Sequence, residues 1–422
     1  MRRSSMKKIL CFLMLAMPTA GLAQEPGQGL DHQLILQLLS RIEQLESEVR
    51  QMKQAAPAGT PTQSSAPFES NPAVSTALAA TASAGAAQAA AATTHELSVP
   101  GLQPVHVQGF SDVQYQASDL KGDHNSFGLG QFNLFITNRL SNKLGLLGEL
   151  VVESDLNNTV GVELERLLFQ YTANDYFALS AGRYHTAIGY YNTAYHHSSW
   201  LQSTVGRPLI FAFEDGGGIL PIHNVGLSAT GRLPLSKLGL HYIAEIGNGR
   251  ASRTPSDEAV QNRTDENNGK AVNLGIYSRP QGIPGFQTGF SLYRDSLHPE
   301  GIGKIGQTIF AGHVVYQQSG LEFLNEAIVL RHAVQGGGVF HIPAFYSQVS
   351  KRMGEVRPYF RYEYMNVPRA EPLYSDIGLR HGPVGGLRFD FNEFAAYKLE
   401  FFRDMERNVK SNGLRTQVSF TF

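Results

Sequence analysis

The stretch Leu414-Arg415-Thr416-Gln417-Val418-Ser419-Phe420-Thr421-Phe422 alternates strictly. Leu414, Thr416, Val418, Phe420 and Phe422 fall on one face, and Arg415, Gln417, Ser419 and Thr421 on the other. A period of two is that of a β-strand, whose faces meet different surroundings. In a soluble barrel or sandwich the apolar face turns inward; in a membrane barrel it turns to lipid while the polar face lines a wet interior. Alternation by itself does not choose between them.

The other end of the chain points to export. Arg2, Arg3, Lys7 and Lys8 precede the apolar run Ile9 to Met17, and Gly21-Leu22-Ala23 supplies small residues for cleavage, so residues 1–23 read as a signal peptide. Cys11 is the only cysteine and lies in that segment, which excludes disulfides, cysteine nucleophiles and thiolate metal sites afterwards. No later stretch has the roughly 20 apolar residues of a spanning helix. A membrane location therefore requires a closed barrel. The net charge of −1 argues against nucleic-acid binding, and the excess of Arg over Lys in the main region suits fixed guanidinium groups along a wall. With its terminal aromatic, the closing strand resembles the last strand of Gram-negative outer-membrane proteins. That resemblance implies a cell outer membrane location, and Phe420 and Phe422 as the signal read by the barrel-assembly machinery.

Two segments separate the signal from the main domain. In 24–54, Ile35, Leu38, Ile42, Leu45, Val49 and Met52 follow a 3-4-3-4-3 spacing, the seam of a short coiled coil, placed in the periplasm. β-branched residues at a with Leu at d lean towards a dimer. Arg41-Ile42-Glu43-Gln44-Leu45-Glu46 instead resembles the Arg-to-Glu pattern of short trimeric coiled coils; a single helix packed on its own domain is the plainer reading. Residues 55–96, rich in Ala, Ser, Thr and Pro, read as a flexible linker because they offer too little apolar surface to offset the entropy of ordering.

From 97 to 422 the period becomes two. In Val356-Arg357-Pro358-Tyr359-Phe360-Arg361-Tyr362-Glu363-Tyr364 the polar face carries Arg357, Arg361 and Glu363; Arg388 with Asp390, and Lys398 with Glu400, repeat the pattern. Strands are expected near 105–116, 127–139, 144–154, 160–171, 176–186, 223–232, 238–247 and 270–278. They continue near 286–294, 306–317, 320–332, 343–352, 355–364, 382–391, 394–404 and 413–422. These ranges define an all-β transmembrane barrel of 16 antiparallel strands. Short turns such as Ser141-Asn142-Lys143 and Met353-Gly354 alternate with longer loops such as 187–222. That asymmetry is expected of short periplasmic turns and long outer loops. A barrel this wide leaves an aqueous channel.

Leu167-Leu168-Phe169-Gln170-Tyr171 and Ala181-Gly182-Arg183-Tyr184-His185-Thr186-Ala187-Ile188-Gly189 resemble the strands entering the third outer loop of the general porin superfamily, in particular its phosphate-selective (O/P-type) group, with Ala187 where that group has Pro. The resemblance implies a homotrimer whose third loop folds inward. The group's Lys and Arg clusters do not map onto this chain, so phosphate preference is not implied. Pore-constriction candidates are His185, His196, His197, Arg207, Glu214 and Asp215; pore-wall candidates are Arg166, Arg357, Arg361, Arg388 and Lys398. The expected device is an eyelet, with acids on the loop facing bases on the wall.

No catalytic motif, metal site or cofactor is expected. Adjacent His196 and His197 point apart on extended chain and lack a third ligand. The leading expectation is a porin passing small hydrophilic solutes or ions through the outer-membrane bilayer, with mild anion preference. Two others stand beside it. One is a structural envelope tether whose coiled coil contacts peptidoglycan; the other is a barrel enzyme built on a Ser–His pair such as Ser291 and His313.

Overall fold

The computed structural model describes residues 95–97, 104–154, 159–195, 199–214, 217–234, 237–250, 265–407 and 409–422. The expected signal peptide, the coiled coil with Arg41 and Glu46, and residues 55–94 of the expected linker lie outside the described residues.

The strands in chain order are β1 (His95–Leu97), β2 (Val105–Ser118), β3 (Ser126–Arg139), β4 (Leu144–Ser154), β5 (Val160–Asn174) and β6 (Phe177–His185). There follow β7 (His223–Arg232), β8 (Leu240–Gly247), β9 (Ala271–Ser278), β10 (Phe286–Leu297), β11 (Ile305–Gln318) and β12 (Leu321–Val334). The last are β13 (Val339–Lys351), β14 (Val356–Asn366), β15 (Leu379–Asp390), β16 (Ala395–Glu406) and β17 (Lys410–Thr421). Strands β2–β17 form a closed 16-strand antiparallel barrel, each paired to its sequence neighbour. Closure comes from β17 on β2, running from Gly413↔Ser118 to Thr421↔Phe110. All sixteen expected strands are present, and the largest shift is the start of β13 at Val339 rather than 343.

The last residue completes the closure. Phe422 and Gly109 exchange backbone hydrogen bonds of 2.8 and 3.0 Å. The Phe422 ring lies over Gly109, where a Cβ would sit 2.1 Å from its Cζ, and stacks on Phe132 at 5.6 Å. Aromatic cover of a strand glycine hides its bare backbone. Beyond that point β1 takes the edge of β2 that β17 leaves, pairing His95↔Val107 and Leu97↔Val105. The pairing thus begins inside the expected linker boundary.

The expected orientation of the faces holds on the outside. Leu129, Phe290, Phe310, Phe345, Phe360 and Phe401 are exposed. Tyr171, Tyr176, Phe323, Phe391 and Phe422 gather near the short-turn rim, as aromatic residues do at a membrane interface. Inside, Arg357, Arg361, Arg388, Asp390, Lys398 and Glu400 all sit on the inner face with little or no exposure. Strands β10–β13 depart from the pattern. Their inward residues include Tyr293, Ile309, Ala311, Val315, Leu324, Ile328, Leu330, Ile342, Ala344 and Tyr346, all buried. An apolar inner wall needs an apolar cover, and the connection 186–222 supplies it.

Candidate functional site

The connection between β6 and β7 folds into the barrel. Its described residues include a short helix, α1 (Tyr191–Ala194), and a 3-10 turn, Leu209–Phe211. Ile188, Tyr190, Tyr191, Tyr195, Ile210, Phe211, Ile219, Leu220 and Ile222 form one buried cluster with the inner wall of β10–β13. The Tyr191 ring stacks on Phe211 at 5.4 Å, and both meet Tyr346 edge-on. Burial raises the Tyr190 and Tyr191 phenols well above their ordinary range, so both stay neutral. At this width, fully burying one such ring is worth about 1.5–3 kcal/mol.

Polar anchors complete the docking. Glu326 accepts the backbone N–H groups of Tyr190 at 2.5 Å and Tyr191 at 2.9 Å and the Tyr346 hydroxyl at 2.6 Å. The chain can come this close only because residue 189 is glycine. Its φ is 72°, and a Cβ there would lie 2.2 Å from Glu326 Oε2. Glu400 accepts the N–H of Val205 at 2.9 Å, and Glu363 that of Leu209 at 2.8 Å. Glu322 accepts from Ser203 and Tyr195. Wall carboxylates therefore take the loop's N–H and O–H groups.

The wall cations take its carbonyls. Arg361 donates to Gly206 O at 3.0 Å and to Thr204 Oγ1 at 3.1 Å, and it pairs with Glu363 at 3.2 Å. Arg388 donates to Trp200 O and Gln202 O, with its guanidinium 4.9 Å from the centre of the Trp200 ring. Lys398 donates to Ser199 O, to Thr204 O and to Gln417 Oε1. Arg357 donates to Ser203 Oγ at 3.2 Å. So four of the five pore-wall candidates touch the loop. The fifth, Arg166, pairs with Glu149 at 2.5 Å on the same wall. Hydrogen bonds to charged groups contribute about 1.5–3 kcal/mol each.

The constriction candidates divide. Arg207 lies with its guanidinium 3.6 Å from the Phe213 ring centre and lines a cleft of about 290 Å³. Glu214 accepts the N–H groups of Ile222 and His223 and faces His223 Nδ1 at 3.4 Å. Burial would raise its carboxyl, yet His223 and Arg250 hold it at about 2. His185 is buried beside His223, with ring centroids 5.5 Å apart. His196, His197 and Asp215 lie outside the described residues.

The cleft runs between the loop and the opposite wall. Asp112, Gln114, Gln131, Glu153 and Gln417 line it from β2, β3, β4 and β17; Ser199, Gln202 and Arg207 line it from the loop. Among the described residues that line it, the acids Asp112 and Glu153 belong to the wall and the base Arg207 to the loop. Sequence reasoning also missed the anchors Glu322, Glu326 and Arg250. Arg250 donates to Leu220 O and Gly218 O at 3.0 and 2.8 Å. Ser291 and His313 both face inward and have separate partners, Gly189 N–H and Gln287.

With this geometry in view, the comparisons are specific about shape. No protein-family model matches the chain, and no curated protein matches it. Solved structures do. OmpF of Salmonella typhi in complex with daunomycin is 12% identical with a TM-score of 0.56, over 78% of this chain and 100% of that one. The outer membrane channel DcaP of Acinetobacter baumannii is 9% identical with a TM-score of 0.55, over 77% and 99%. An anion-selective porin from Comamonas acidovorans is 13% identical with a TM-score of 0.54, over 75% and 99%. The chain thus has the porin fold, a closed 16-strand barrel.

Proposed function

We propose that this protein is a porin of the Gram-negative outer membrane. It gives small hydrophilic solutes or ions a passive route along the polar half of its barrel. The observation that carries this reading is the cleft of about 290 Å³ between the docked loop and the Asp112–Gln131–Glu153 wall. Polar side chains face each other across it, while the loop's apolar cluster covers the inner wall of β10–β13. The fold shared with OmpF, DcaP and the Comamonas porin supports the same reading.

The arginine excess suggests a mild anion preference. However, Arg361 and Arg388 hold loop carbonyls, and the charges on the cleft are Asp112 and Glu153 against Arg207. Such a balance favours weak selectivity leaning to cations, since charged rings set ion preference. Reversal potentials in asymmetric potassium chloride across a planar bilayer test both points together. A stable conductance with a small cation-directed potential is expected; no conductance at all overturns the porin reading, and an anion-directed potential overturns the selectivity.

Homotrimer assembly rests on the heptad seam Ile35 to Met52 and the Leu167–Gly189 resemblance, and cross-linking in mild detergent tests it. Deleting residues 25–95 separates a porin from an envelope tether contacting peptidoglycan. A porin still conducts after the deletion, whereas a tether loses its envelope phenotype.

A further inference from the structure

We propose that Glu165, His185 and His223 bind a divalent transition-metal ion of the zinc class, fastening together the two stems of the inward loop. His185 is the last residue of β6 and His223 the first of β7, so they bracket the loop. They are direct cross-strand partners. Glu165 projects to the same place from β5, the neighbouring strand, and all three are buried. One ligand atom from each lies within 4.8 Å of the others. A tetrahedral zinc ion with arms of about 2.0–2.2 Å separates its ligands by about 3.4 Å, a change small rotations achieve. Imidazole nitrogens with a carboxylate oxygen are donors for zinc, copper or nickel rather than for calcium or magnesium.

The surroundings are those of a metal site. Nδ1 of His223 stands 3.4 Å from Glu214 Oε2, while its Nε2 touches Glu165 Oε1. Glu214 is itself held by the N–H groups of Ile222 and His223. On the other side Glu149 Oε2 lies 4.0 Å from His185 Nε2 and is fixed by Arg166. Carboxylates behind ligating histidines set the ring orientation and the tautomer. A cavity of about 80 Å³ borders His185. The competing arrangement is a purely hydrogen-bonded one, with His223 held between two carboxylates.

The test uses the full-length protein, stripped with chelator and titrated with cobalt(II). Metal content after dialysis and the visible absorption of four- or five-coordinate cobalt are the readouts. About one ion per chain is expected from a three-ligand site. The double variant His185→Ala/His223→Ala and the variant Glu165→Gln should lose binding while keeping the heat-sensitive gel mobility of a folded barrel. Glu214→Gln, a positioning change, should weaken binding by about 10–100-fold. A second readout needs no variant: zinc should shield His185 and His223 from diethylpyrocarbonate, mapped by mass spectrometry. Absence of the cobalt band in the wild type, equal binding by a folded double variant, or unchanged histidine labelling overturns the proposal.

Discussion

Along β10–β13 the inward residues Ile309, Leu324, Ile328 and Tyr346 meet Tyr191 and Phe211 of the loop in one continuous cluster. Across the barrel, the inward residues Asp112, Gln131, Glu153 and Gln417 meet the loop's Ser199, Gln202 and Arg207 over a cleft. Both walls are antiparallel strands of the same barrel with the same two-residue period. They differ in what their inner faces ask for. The first holds the loop by apolar packing; the second touches it through polar contacts, such as the Ser199 hydroxyl donating to Asp112 at 3.0 Å, with a cleft beside them. The loop is thus held by apolar burial on one side and by the polar anchors Arg361, Arg388, Lys398 and Glu400 on the other, and the cleft lies along the remaining polar wall.

The largest effect should come from releasing the loop on the filled side. Glu326→Ala leaves two buried N–H groups and a phenol without their acceptor, at about 1–3 kcal/mol for each. The loop should detach and single-channel conductance rise while the barrel stays folded. Unchanged conductance would mean that this wall does not hold the loop. Phe211→Ala removes a ring at the centre of the same cluster and should cost about 3–5 kcal/mol of docking stability. Proteolysis within 186–222 should accelerate, and equal cleavage rates would contradict the packing account.

On the cleft side the expected changes are electrical. Glu153→Gln removes one wall acid that Gln131 contacts, and surface changes of this kind usually stay within about 0.5 kcal/mol. Thermal stability should hold while the reversal potential moves towards anions; a shift in melting with no shift in potential would invert the assignment. The smallest effect concerns Asp119 at the loop rim, which receives hydrogen bonds from the side chain and backbone of Asn412. Those bonds lower its pKa below the ordinary 3.8, so its contribution is present above that value and fades as pH falls further. Hydrogen exchange at Asn412 should quicken only under acid conditions. Asp119→Asn should remove that pH dependence.

The barrel itself was legible because strand period, turn spacing and an alternating last strand are local properties of the chain. Even the faces were readable: Arg357, Arg361, Arg388 and Lys398 do point inward. What they point at was not, since alternation specifies a side and says nothing of what stands opposite. One clue was available. Ala327-Ile328-Val329-Leu330 is apolar on both faces, the mark of a strand covered on both sides. The grouping of Glu165, His185 and His223 needed the pairing of β5, β6 and β7, which no short spacing reveals, although the two histidines sit at the loop's two ends.

The three-residue strand β1 gives the closure a further meaning. Without it, the backbone of Val105 to Val107 would offer unpaired groups on the side where β17 has already ended, an invitation to strand exchange between molecules. With it, the hem is finished by the chain's own upstream segment. The strand β1 itself thus sits at one point of the circumference, two residues along β2 from the Gly109–Phe422 pair. The strand it is paired to, β2, is itself held on both edges, by β3 along its length and by β17 from Phe110 to Ser118.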